Sequence, residues 1–352
     1  MQRIGIVIII LLCVFIGNEY GYKKQESITT HKTIQITDIN SIPKEDVELH
    51  YSQIIKTLKD LDKEDWFKED NHLQVRKVEG DFIGDQALDR IWIITGDRQQ
   101  ETLLVLYENK NQEYHYVSNI KIMGELKGIQ PISCKATQKD FLVLREYVDQ
   151  RLGAFEETTL IKAYHWKEKK AVPVLTIVEE YHAYWNELWD GKKSKEESHW
   201  LQMDQKSYIQ WENDFSPRVH VVSRQAFLTS KDTNQIEIPK EDHFDVKKSR
   251  EISREYHWDP NWDIFVLEEG IDQKTGEQVA IVEDVSDNPF TLIGYKEETY
   301  RIKRKSGDIE IVPKDTIYIG KTKKNVQVSL YKNKASSSRL KNSLIFLGSI
   351  KV

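Results

Sequence analysis

Cysteine is almost absent: the chain has two in 352 residues, Cys13 and Cys134. Cys13 stands inside the leading apolar run, so loss of that segment would leave Cys134 alone; a disulfide framework and a cysteine metal site are both excluded. The short signatures of common chemistries are absent too. There is no His-Glu-x-x-His, no Gly-x-Ser-x-Gly, no phosphate-cradling Gly-x-x-x-x-Gly-Lys and no dinucleotide fingerprint. The ten histidines are scattered without paired metal-ligand spacing. Acid pairs such as Glu179-Glu180, or Asp284 near Asp287, occur, but among 57 acidic residues such neighbours arise by chance. A glycosidase depends on the separation of its carboxylates in space, which a sequence does not give. No catalytic residue is assigned. With only 8 prolines and 39% hydrophobic content the chain is not a disordered one, while 31% charge requires a strongly solvated surface. The length points to two domains, or one large domain with an appendage.

Long hydrophobic runs are limited to one. Ile4 to Ile16 is uninterrupted after Met1-Gln2-Arg3, which are the h-region and charged n-region of an export signal. The run is shorter than the roughly 20 apolar residues of a comfortable span, favouring a signal peptide. Gly17 to Tyr22 offers no small-x-small cleavage site, so an uncleaved anchor stays open. Leu12 before Cys13 does not suit bacterial lipidation. Residues 1–21 are thus read as a signal peptide or membrane anchor, residues 22–40 as a polar tether, and the protein as extracytoplasmic, secreted or anchored.

Behind Ser41 and Pro43, apolar residues at Val47, Tyr51, Ile54, Ile55, Leu58 and Leu61 have the one-sided spacing of an amphipathic helix. From Leu73 to Leu267 short β-rich runs alternate with polar turns, the clearest being 90–94, 102–107, 114–122, 141–144, 159–166, 172–178 and 219–222. Leu103–Ile122 and Leu160–Val178 each read as strand, charged turn, strand, about 57 residues apart, as in repeated antiparallel units. A further set of short strands follows Gly270, with Ser306-Gly307-Asp308 as a hairpin turn and 333–338 as an exposed loop. The predicted fold class is mostly β: a divergent propeller-like or sandwich body over 41–269, opened by one helix, with a small basic all-β domain over 270–352.

One segment carries a pattern with chemistry in it. Gly80 to Asp89 (GDFIGDQALD) runs directly into the strand at Arg90. Carboxylates at Asp81, Asp85 and Asp89, the first, fifth and ninth positions of a tight loop, can converge on a hard cation, since Ca²⁺ accepts several oxygens in a flexible shell. The bare residues fit a metal-free turn as well. Residues 80–94 resemble one copy of the calcium loop of FG-GAP/VCBS-type repeats, whose setting is an extracellular β-propeller of the integrin type. The resemblance implies Ca²⁺ as cofactor, held by Asp81, Asp85 and Asp89 with Ala87 offering its carbonyl. Two positions depart from the family pattern: Ile83 replaces the third-position ligand and Gln86 replaces the glycine.

Nine tryptophans suggest glycan stacking as one use, with Trp185, Trp189, Trp258 and Trp262 as candidates; core filling is the competing use. Charge is asymmetric. From Lys296 to Val352 fourteen Lys/Arg face five Asp/Glu, a balance of +9 within a chain of net −6. An anionic envelope polymer or membrane surface is the expected partner of 296–352, with nucleic acid least favoured. The expected role is an exported or anchored, non-enzymatic binding or scaffold protein of the cell envelope. The alternative is a secreted hydrolase of glycans or cell-wall material.

Overall fold

In the computed structural model, residues 35–320 and 328–331 are described, apart from short internal segments at 46, 68–72, 97–100, 151–154, 192, 213–214, 296–297. The expected leader, most of the tether and the 333–338 loop lie outside the described residues. Among the described residues the chain is mostly β, with one α-helix. Its elements are β1 (Thr37–Asp38), α1 (Val47–Asp60), β2 (Leu73–Gly80), β3 (Asp89–Gly96), β4 (Thr102–Lys110), β5 (Glu113–Ile122), β6 (Glu125–Cys134) and β7 (Lys139–Asp149). There follow β8 (Phe155–Lys167), β9 (Lys170–Asn186), β10 (Trp200–Glu212), β11 (Arg218–Ser230), β12 (Phe244–Asp259) and β13 (Ile264–Val266). The last are β14 (Glu268–Asp272), β15 (Gln278–Asp284), β16 (Thr299–Lys303), β17 (Ile309–Pro313), β18 (Ile317–Tyr318) and β19 (Val328–Tyr331).

Among the described residues these strands form three antiparallel sheets. Strands β2 to β5 form a four-stranded meander. Its central strands read as continuous apolar runs because both faces are covered. Ile91, Ile93, Leu104 and Leu106 pack with Leu142, Leu144 and Trp166 of the large sheet. On the opposite face Trp92, Ile94, Leu103 and Val105 pack with Ile54 and Leu58 of α1. The helix is therefore amphipathic for packing, at the spacing its sequence shows.

The largest sheet runs β1-β6-β7-β8-β9-β10-β11-β12-β13, with β19 also paired to β12. β9 pairs with β8 from Lys170 to Tyr184, but with β10 only from Glu180 to Asn186. Along the first half of β9 only β8 is paired, and the sheet curls as a half-barrel. Phe141, Val143 and Ile161 from one wing share a core with Trp211, Val219, Val221 and Trp258 from the other.

The five-stranded sheet, ordered β17-β16-β15-β14-β18, closes on its own small core of Val279, Ile281, Ile302 and Ile317. At the predicted Ser306-Gly307-Asp308 turn, Gly307 takes φ +97 and Arg304 N–H donates to the Asp308 carbonyl at 2.9 Å. This sheet also belongs to the larger body, because Ala280 lies in the core of the half-barrel. Its β15–β16 connection forms a strap over the large sheet. There Phe290 and Leu292 sit among Tyr181, Ala183, Trp185, Met203 and Phe227, and Arg254 of β12 donates to Asp284 at 3.0 Å and Asp287 at 2.7 Å. The two expected repeats, 103–122 and 160–178, are both hairpins, but they stand in different sheets. No helix among the described residues is long and apolar enough to cross a membrane.

Candidate functional site

A β-bulge creates the first candidate site. Successive side chains of a strand point to opposite faces, but the register shift at Thr159/Leu160 gives β9 one extra residue, Glu179, opposite β8. Glu179 and Glu180 consequently line the same groove, with Glu157, Arg145, His182 and Lys127, around a volume of about 560 Å³. Each charge whose contact is resolved already has a partner. Arg145 Nη2 lies 2.7 Å from Glu179 Oε1, Lys206 Nζ lies 3.0 Å from Glu180, and His182 Nδ1 lies 3.0 Å from Asp204 Oδ1. Burial pushes the Glu179 carboxyl up, against the pull of Arg145. The Asp204 hydrogen bond holds the His182 imidazolium on to higher pH than usual. Arg145 Nε is buried without a hydrogen-bond partner. The groove therefore offers a neutralised polar surface.

The aspartate loop is built otherwise than its spacing suggests. Asp89 is fully buried, and its Oδ2 accepts from the N–H groups of Phe82 and Ile83, both at 2.9 Å, while Oδ1 accepts from Asn109 N–H at 3.2 Å. Burial outweighs these donors and pushes its carboxyl up to about 6. Asp81 accepts from Gly84 N–H at 2.6 Å and Gln86 N–H at 3.0 Å, and Asp85 from Ala87 N–H at 3.0 Å. Gly84 (φ +88) and Gln86 (φ +69) take the left-handed conformations that this tight path needs. Lys139 lies across the loop, its stem where a Cβ on Gly84 would fall. The loop's carboxylates are thus engaged by backbone amides, and a cation would have to share them with these donors. No group of three His, Cys, Asp or Glu among the described residues is placed to hold a metal.

The four candidate tryptophans separate sharply. Trp258 and Trp262 are 2% and 3% exposed, part of the half-barrel core, so as platform residues they are corrected to packing residues. Trp185 is half-buried under the strap, stacked on Phe227 at 6.2 Å. Trp189 is 50% exposed. It borders a cleft of about 380 Å³ with Trp200, Leu188, Asn186, Asn234 and Gln235. Of these, Trp189 was a sequence candidate; Trp200 and the 234–236 turn arrive from elsewhere in the chain, and no local signal connects them to it.

The basic segment also divides. Positions 296–320 hold six Lys/Arg against five Asp/Glu, and Arg304 there is engaged by Asp272, Glu277 and Glu310. The other eight basic residues, with no acidic ones among them, fall at 321–352, outside the described residues.

The sequence matches no known protein family, and comparison with curated proteins finds no significantly similar relative.

Proposed function

We propose that the protein is an exported or membrane-anchored binding and scaffold protein of the cell envelope, acting without catalysis. The leader pattern at 4–16 and the basic excess concentrated at 321–352 support its place beside an anionic envelope polymer or membrane surface. One observation carries the non-enzymatic part: in the groove, Glu179 and Glu180 are tied to Arg145 and Lys206. An acid and a base free to exchange protons with a substrate is what a glycoside hydrolase requires. The second reading, a secreted hydrolase, draws on the same groove, where Glu179 is displaced toward the protonated form.

As for finer architecture, a propeller-like or FG-GAP-like unit draws support from the four-stranded meander, which carries its aspartate loop between its first and second strands. The large sheet is one continuous surface and lends no such support. The partner reading is tested by co-sedimentation of the full chain with purified cell wall and with anionic vesicles. Binding that weakens with salt and is lost when the eight Lys and Arg residues between 321 and 352 become Gln is the expected result. Binding indifferent to both changes would overturn the electrostatic contact.

A further inference from the structure

We infer that the cleft at Trp189 is a saccharide subsite that takes an uncharged pyranose unit of a glycan. The inference deepens the binding-protein reading by naming a ligand class, and it rests on that reading only for where the glycan is met.

Three features make the cleft a built site. Its aromatic wall is held rigidly. Trp200, 3% exposed, donates its indole N–H to the Gln235 carbonyl at 3.0 Å, and its backbone N–H to Ser230 Oγ at 3.0 Å. Trp189 meets Trp200 edge to face, with centroids 5.4 Å apart at 79°. This contact fixes Trp189 while leaving half of it in water. The turn that presents Trp189 is fixed at both ends. Asn186, 6% exposed, accepts from Leu188 N–H at 2.9 Å. Gly191, at φ +66, donates back to the Leu188 carbonyl at 3.1 Å. Between them Glu187 donates its N–H to the His199 carbonyl at 3.0 Å, and its carboxylate takes His199 N–H at 3.1 Å and Lys193 at 2.7 Å. Preorganisation of this kind lowers the entropic cost of binding.

The polar groups at the mouth decide what the site holds. Asn234 and Gln235 bring amides beside the apolar Leu188, Trp189 and Ile236, while Asn186 and Ser198 are buried and already bonded to Leu188 N–H and the Ser194 carbonyl; Lys195 is the one charged lining residue. An aliphatic or lipid occupant would cover Leu188, Trp189 and Ile236 but strip water from the Asn234 and Gln235 amides without replacing it, which costs free energy for each unpaired group. A pyranose satisfies both walls, laying its C–H face on the indole and turning its hydroxyls toward the amides. The volume lies at the lower end of the roughly 300–1,000 Å³ typical of small-molecule sites. A near-neutral lining further predicts binding that ignores salt, unlike the contact proposed for the basic segment.

The test titrates the full chain with N-acetylglucosamine tetramer and with cellotetraose, following heat and the indole N–H resonances. Saturable binding to at least one, unchanged by added salt, is expected. Trp189→Ala should weaken it about tenfold or more, Trp189→Phe should retain most of it, and Asn234→Ala should weaken it severalfold. The inference is overturned if neither tetramer binds, if Trp189→Ala binds as the wild type does, or if an apolar dye fills the cleft and neither sugar displaces it. Wall co-sedimentation that survives Trp189→Ala while neither tetramer binds would remove this subsite and leave the electrostatic contact standing.

Discussion

Strand β9 leads to both candidate sites, one at its bulge and one just past its end, and they are opposites in chemistry. At its bulge, Glu179 and Glu180 turn into one groove and are met there by Arg145 and Lys206. Beyond its end, Trp189 is left half in water beside neutral amides. Half-burying a charge demands a partner, and Glu179 meets Arg145 in the groove, while the more exposed Glu180 pairs with Lys206 at its edge. An exposed indole demands nothing of the sort, and its capped turn keeps it available. What a sequence marks as chemically rich need not be what the fold leaves free.

The sharpest way to break this comparison is to remove a charge that the fold uses. Asp89→Ala leaves three amide donors without their acceptor, and with the carboxylate fully buried the loss should reach about 3 kcal/mol or more, read by denaturant unfolding. Asp85→Ala, at an exposed position with one such bond, should cost about 1 kcal/mol or less. On the same reading, melting in calcium and in chelator should coincide; a calcium-dependent rise lost in Asp85→Ala would return the loop to a metal site.

A second test uses pH. Burial lifts the folded Asp89 carboxyl to about 6, above its ordinary 3.8, so the folded state holds the proton more tightly. That contribution is fully present below about 3.8 and lost as pH rises through 6, so wild-type stability should fall with rising pH across this window. Asp89→Asn, which cannot titrate, should show a shallower slope; identical slopes would remove Asp89 as the cause. In the groove, Arg145→Met should cost only about 1 kcal/mol, since that pair is partly solvated, and Glu179→Gln in the same chain should recover part of it. The smallest effect on stability belongs to Trp189→Ala, expected within about 0.5 kcal/mol of wild type. A large destabilisation there would mean that Trp189 is a packing residue after all.

Much of the fold was legible where one physical demand dominates. The apolar runs at 90–94 and 102–107 are central strands covered on both faces. The helix spacing at Ile54 and Leu58 is its packing stripe, and short strands do follow Gly270, 299–303 among them. Strand β12 was not legible. Its inward-facing Arg250 and Arg254 hold the strap through the Ser286 and Asn288 carbonyls and through Asp284 and Asp287, so polar residues stand where alternation leads one to expect apolar ones. The second half of β9 was hidden for a related reason: Glu179-Glu180 interrupts the pattern at the bulge, and the strand then runs on to Asn186. Of the candidate site residues, sequence located the aspartates and the tryptophans but could not give their environment. Asp81 and Asp89 face amides because the loop closes on itself, and Trp258 and Trp262 are buried because two wings of a curled sheet meet over them.

The most direct test of the account is a single incubation of the full chain with purified cell wall, measuring both the protein retained and the reducing ends released. The account predicts retention with no release above the wall alone, in wild type and in Glu179→Gln alike. Release of reducing ends by the wild type that disappears in Glu179→Gln would contradict it and make the groove a hydrolase active site.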